Sequence, residues 1–240
     1  MKVITNDKLI NRYSKLGKYL NVAAIVILFG GMAITWLRTD LFYLSLIALF
    51  AGFILSQVSV FFINRWGRSP RPDERITSSL KGLANEFTLY HYCTPVSHLL
   101  VGPAGVWTIL PYYQRGTITY EKNRWKQRGG GIGQAYLKIF AQEGIGRPDL
   151  DARSDVEKLT DYLAKALETE APEIKPVLVF TDKRVDIQVE GAPIPTLAAE
   201  ELKDYIRRSV KENPLPGELI TSIKAILPQE EKPVKKEKGK

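Results

Sequence analysis

Two long apolar runs dominate the first quarter of the chain. From Tyr19 to Leu37 there is no charged residue, and after Arg38-Thr39-Asp40 a second run extends from Leu41 to Ile63 with polar interruptions at Ser45, Ser56, Gln57 and Ser59. Each run has about the twenty residues needed to cross a hydrocarbon layer. So short a connection predicts an antiparallel transmembrane hairpin that enters and leaves by the same face. Tyr19, Trp36, Tyr43 and Trp66 sit near the ends of the runs, where amphipathic rings favour the interface. Gly30, Gly31 and Gly52 with Ser56 would allow close approach of the two helices. The length of the first run and the second run close behind it argue against a cleaved signal peptide.

The pattern changes after Ser69-Pro70-Arg71-Pro72, a linker stiffened by its prolines. A helix is expected from Asp73 to Leu83, with Ile76, Leu80 and Leu83 on one face, followed by a strand from Phe87 to Thr94. The stretch Val96–Tyr112 reads as two buried strands joined by the turn Gly102-Pro103-Ala104-Gly105. Thr117–Tyr120 and Trp125–Arg128 form a second hairpin around a polar tetrad. A short helix is expected at Tyr136–Glu143 and a longer one at Asp151–Leu167, whose stripe is Val156, Leu159, Leu163 and Leu167. Pro176–Phe180 suits a strand buried on both faces. Further strands at Val185–Val189 and Ile194–Leu197 precede a helix at Ala199–Val210.

Composition sharpens this division. The 240 residues carry a formal net charge of +8, and 45% are hydrophobic, which suits a membrane segment plus one ordinary domain. The expected organisation is a basic cytoplasmic segment at 1–18, with an amphipathic helix spaced by Leu9, Tyr13 and Leu16, then the hairpin at 19–66. A linker at 67–72, an α/β domain at 73–227 and a disordered charged tail at 228–240 follow. Lysine and arginine precede the first apolar run and follow the second, so both termini and the soluble domain are expected on the cytoplasmic side of the inner or plasma membrane. The single cysteine, Cys93, rules out an intramolecular disulfide, and no His/Cys cluster has zinc spacing. Gly129-Gly-Gly-Ile-Gly133 lacks the Gly-Lys-Ser/Thr ending of a phosphate loop, and no serine–histidine–aspartate spacing is recognisable.

The residues His98, Leu99, Leu100, Val101, Gly102, Pro103, Gly105 and Val106 resemble the central hairpin of the nuclease-related domain (NERD) family, a branch of the PD-(D/E)xK nuclease fold. The resemblance covers about Asp73 to Arg208, including Pro176–Thr181 and Pro193-Ile-Pro195. It implies an α/β domain with a mixed sheet flanked by helices. The family's metal-binding Asp, however, is Ser97 here, and the Glu and Lys of its Glu-x-Lys are Leu110 and Tyr112. Glu74, followed by Ile76 and Leu80, resembles the family's helix acid, and its place near a helix start also suits a carboxylate. His98 fits the family pattern within an apolar strand. Hydrolysis of this kind needs carboxylates converging on a hard divalent cation, so the resemblance implies a scaffold whose catalytic letters are missing. Glu74 and His98 are its vestiges.

For binding, Lys122, Arg124, Lys126 and Arg128 alternate along the second hairpin, with Arg115, Trp125 and several tyrosines nearby. Cations can neutralise phosphates while aromatics stack on bases, so this is the expected nucleic-acid or anion surface; an ordinary solvated hairpin with Trp125 in the core is the plainer alternative. Held at a membrane, the same charges would attract anionic lipid. The leading functional expectation is a catalytically inactive, membrane-anchored module that binds nucleic acid or a partner without a cofactor. The alternatives are an active nuclease using Mg²⁺ with an acid from elsewhere, such as Glu121 or Glu86, and a membrane assembly protein that forms homo-oligomers.

Overall fold

The computed structural model describes residues 1–129, 144–168, 170–212 and 214–229. The expected helix at 136–143 and nearly all of the expected tail lie outside them. Nine strands and six helices are described: β1 (Lys2–Thr5), α1 (Asp7–Leu37), α2 (Phe42–Phe62), α3 (Pro72–Ser79), β2 (Thr88–His91), β3 (His98–Gly102), β4 (Gly105–Tyr112), β5 (Gly116–Glu121), β6 (Arg124–Arg128), α4 (Pro148–Leu167), β7 (Ile174–Phe180), β8 (Val185–Gln188), β9 (Thr196–Ala198), α5 (Leu202–Glu212) and α6 (Gly217–Ile226).

The main sheet has the order β1-β2-β3-β4-β7-β9. The β1–β2, β4–β7 and β7–β9 pairs are parallel, and β3 pairs antiparallel with both neighbours. Only β3 therefore runs against the rest, and the C-terminal ends of the other five strands share one edge. Helices cover both faces. On one, Ile76 of α3, Leu80 just after it, and Leu202 and Ile206 of α5 pack on Leu89, Leu100, Trp107 and Val177; on the other, Leu159 and Leu163 of α4 and Ile223 of α6 pack on Tyr90, Leu99, Val101 and Val106. Adjacent Leu99 and Leu100 thus enter opposite cores, the two-residue period of a strand buried on both sides. In the tight β3–β4 turn Gly105 has φ 111°, and a Cβ at Gly102 would lie 2.3 Å from the Phe87 ring. A second sheet of order β6-β5-β8 packs Ile118 and Trp125 against Leu110, Leu178 and Phe180.

Both α1 and α2 are long and apolar enough to cross a membrane. Their contact is built on small residues at seven-residue intervals. Gly17, Ala24 and Gly31 are buried on α1, and Ser45, Gly52 and Ser59 on α2, the period that keeps one seam facing its partner in a left-handed supercoil. A Cβ on Gly31 would lie 2.8 Å from that of Ala48, and one on Gly52 would lie 2.7 Å from Leu28. The Ser59 hydroxyl donates to the Gly17 carbonyl at 2.9 Å. Gly30 has open space beside it, and Ser56 donates to Phe53 of its own helix. Of the expected contact residues, Gly31 and Gly52 thus lie in the seam and Gly30 does not, while half-buried Ser56 spends its hydroxyl on its own helix.

The N-terminus departs most from expectation. Residues 1–18 do not form a separate segment: Lys2–Thr5 is an edge strand of the domain's sheet, in register with Thr88–His91. Asn6 Oδ1 then accepts from Leu9 N at 3.0 Å and caps α1. The α/β unit is therefore discontinuous in sequence, with the apolar hairpin inserted between β1 and the remainder. At 31 residues α1 is about 46 Å long, longer than a ~30 Å hydrocarbon layer by about the length of its polar first turns. Tyr13 from this portion packs on Phe62 and Trp66, at 5.5 and 4.8 Å between ring centroids. Trp66 thus belongs to an aromatic cluster at the base of the hairpin.

Candidate functional site: a basic cleft beneath the apolar hairpin

Because α1 leaves the sheet from the end of β1, and α2 returns beside the start of β3, the hairpin stands over the edge where the five co-directed strands end. Ligands of open α/β sheets commonly bind at such an edge. Here it forms a cleft of about 1230 Å³, bounded by the inner end of α2, the ends of β4 and β7, the loop after β4 and one side of α4. Among the described residues six cations line it, Arg65, Arg68, Arg75, Arg115, Lys158 and Arg184, against three acids, Asp151, Asp155 and Asp182.

These groups are held to different degrees. Arg65 lies in the π-helical turn Ile63–Gly67 that continues α2; its Nη2 donates to Ser97 Oγ at 2.9 Å, and its guanidinium lies 5.2 Å from the Trp66 ring centroid. Its buried Nε has no hydrogen-bond partner among the described residues. Arg75 ties α3 to the end of β7 through the Thr181 carbonyl, at 3.1 Å. Arg184 grips Asp182 through two nitrogens, at 2.9 and 2.6 Å, which holds that carboxyl down to about 2. Asp151 accepts from the Tyr112 hydroxyl at 3.1 Å, and Asp155 from Thr108 at 3.4 Å. Burial pushes Asp155 up from the ordinary carboxylate range.

Below the cleft the two histidines meet. His91 Nδ1 and His98 Nδ1 are 2.8 Å apart, and His91 Nε2 is 2.8 Å from Thr77 Oγ1. Only one of two facing ring nitrogens can carry the proton, so the accepting ring is neutral and protonated on Nε2, and with both rings neutral the two hold opposite tautomers. Burial lowers His91 to about 4 and His98 well below its ordinary value. His98 lines the cleft from beneath.

The other expected residues lie apart. Glu74 faces a separate shallow pocket and is occupied at the start of α3: its carboxylate accepts from Arg71 N at 2.9 Å and Ser69 Oγ at 2.7 Å, and pairs with the Arg71 guanidinium at 3.0 Å. Ser69, followed by Arg71, holds that carboxyl below its usual range. Arg115 belongs to the cleft. Arg124, Lys126 and Arg128 share the outer face of the small sheet, where Lys126 and Arg128 pair with Glu121 at 2.9 and 2.8 Å. Lys122 sits with Asn123 in a two-residue turn with φ 51° and 59°. Trp125 corrects the expectation of a stacking platform. It points to the opposite face, is only 4% exposed and donates to Thr196 Oγ1 at 3.2 Å, so it has no face to offer a base.

Ser97 faces a guanidinium, Leu110 is packed in the core, and Tyr112 donates to Asp151 while its ring stacks on Phe180. Among the described residues no group of three His, Cys, Asp or Glu side chains is placed to hold a metal. Compared with known proteins, the chain matches no family model, no curated protein and no solved structure.

Sequence reading did not single out Arg65, Arg68, Lys158, Arg184, Asp151 or Asp155 as parts of one site. The available signals were the basic run after the second apolar stretch and the four- and three-residue spacing of Asp151, Asp155 and Lys158 to one side of a helix.

Proposed function

We propose that this chain is a membrane-anchored module, with both termini and the α/β domain cytoplasmic, whose cleft binds a phosphate-bearing ligand without hydrolysing it. In this reading the domain is a nuclease-related, PD-(D/E)xK-like scaffold turned to binding. The observation that carries it is the Arg65–Ser97 contact: where the resemblance would place a metal on an acid, a cation of the protein rests on a hydroxyl. The excess of cations over acids in the cleft supports an anion, and the common attachment of β1, α1 and the end of α2 to one sheet edge supports a hairpin that returns to its own side.

Two experiments test this. A C-terminal fusion to a reporter active only outside the cytoplasm is expected to be silent; strong activity overturns the topology. The purified full chain, incubated with DNA or RNA and Mg²⁺ or Mn²⁺, is expected to leave both intact. One observation favours the second reading, an active metal-dependent nuclease: Asp151 and Asp155 lie one helical turn apart on the cleft wall. Cleavage abolished by Asp151→Asn with Asp155→Asn would establish it and overturn the binding role.

A further inference from the structure

The wall that α2 contributes to the cleft changes character along its length. Val58 and Phe61 are apolar, and Phe61 is 53% exposed; Asn64 follows, then Arg65 and Arg68. Val58 and Phe61 lie on the last turns of α2, Asn64 and Arg65 in the π-helical turn that continues it, and Arg68 follows that turn in extended backbone; all five line the same cleft, so its wall passes from apolar to cationic along this stretch. Lys158 and Arg115 contribute from the opposite side, and the ends of β4 and β7 form the floor. A nucleic-acid track has no use for an apolar wall leading away from its phosphates.

We infer that the cleft takes an anionic phospholipid from the adjoining leaflet, its phosphate held among Arg65, Arg68 and Lys158 and its chain lying along Val58 and Phe61. The inference rests on the proposed phosphate-binding role of the cleft and names the ligand's class. Arg65 is already oriented by its Nη2 bond to Ser97 Oγ, and a guanidinium held in this way loses little freedom on binding a phosphate. The volume is of the size that holds a headgroup with its glycerol and upper chain, and it is too small for a duplex. Cations scattered on a surface would attract any anionic membrane equally, whereas a concave site joined to an apolar groove selects one molecule with both parts.

The test uses the full chain. Native mass spectrometry after reconstitution in phosphatidylcholine containing a minor fraction of phosphatidic acid should show phosphatidic acid retained in preference to the majority lipid. Titration calorimetry of the detergent-solubilised chain with inorganic phosphate measures the headgroup alone. Arg68→Glu with Lys158→Glu, both at exposed positions, should weaken retention and phosphate binding together, by roughly tenfold or more. Phe61→Asn should reduce lipid retention about fivefold and leave phosphate binding unchanged. Charge reversal at Lys122 and Arg124 should alter neither.

If Phe61→Asn leaves retention unchanged while the charge variant abolishes phosphate binding, the lipid inference falls and the phosphate-binding reading stands. A single-stranded oligonucleotide that displaces the lipid and is lost in the charge variant also overturns the lipid. If neither lipid nor phosphate nor oligonucleotide responds to the cleft variants, both readings fall.

Discussion

The two basic regions of this molecule are opposites in how their charge is assembled. On the outer face of the small sheet, Arg124, Lys126 and Arg128 are strand neighbours, brought together by local alternation, and two of them already share Glu121. In the cleft, Arg65, Arg68, Arg75, Arg115, Lys158 and Arg184 are spread over some 120 residues of sequence and gathered by the meeting of a helix end, two strand ends and another helix. The hairpin's charge faces open solvent, where screening is strong. The cleft's charge faces low-dielectric walls that concentrate the field. Density of charge along a sequence is therefore a poor guide to density of charge in space.

Trp125 gives the largest test of that contrast. As part of the core between the two sheets, it should cost about 3–5 kcal/mol of stability when replaced by alanine, read as a large fall in melting temperature of the full chain. Arg124→Ala, its neighbour on the exposed side, should be nearly neutral. The reverse ranking would make the hairpin a loosely attached binding arm.

A second effect comes from beneath the cleft. His91, buried against His98, is lowered from 6.5 to about 4, so in that window the unfolded chain binds more protons than the folded one. Stability is then full above about pH 6.5 and is lost as pH falls toward 4. Melting curves taken stepwise from pH 7.5 to 5 should shift down by several degrees, and His91→Gln should flatten the dependence. A flat wild-type profile would mean that the pair is not sealed from water and that the cleft floor is open. In the same region Ser97→Asp would place a carboxylate against Arg65, and phosphate binding should weaken several-fold as the guanidinium acquires an internal partner.

The contrast also explains what could be read in advance. β3 and β4 were legible because a Gly-Pro turn separates two unbroken apolar runs, and the apolar hairpin because each of its two runs is long and uncharged enough to cross a membrane. β1 was not. Val3 and Ile4 are two apolar residues in a polar leader, and their strand exists only because Thr88–His91, more than 80 positions away, offers an open edge. α6 differs: Leu219, Ile220, Ile223, Ile226 and Leu227 recur at helical spacing and all pack on the second core, a stripe the sequence does carry but that sequence reading did not single out as a helix. Of the candidate site, Arg115 and His98 were visible as residues but not as neighbours of the cleft. Trp125 was ambiguous for a physical reason: an aromatic between cations on a strand has the same pattern whether its face is inward or outward, and only the packing of the small sheet on Leu178 and Phe180 decides it.

The smallest expected effect bears on the hairpin's own claim to bind polyanions. Glu121 holds Lys126 and Arg128 in exposed pairs of the kind that add little to stability, so Glu121→Gln should leave the melting temperature of the full chain unchanged within error. What it should change is the electrostatics of that face, because two cations lose their common counter-charge. If the hairpin contacts phosphates, affinity for a single-stranded oligonucleotide should rise in the variant, and the slope of log affinity against log salt should steepen by about one to two units, one for each cation released to a phosphate. If the hairpin is only solvated surface, the slope should stay as it is, while the cleft variants still abolish phosphate binding. A steeper slope with an unaltered cleft would give the molecule two independent anion surfaces and end the contrast between charge that is merely dense and charge that is focused.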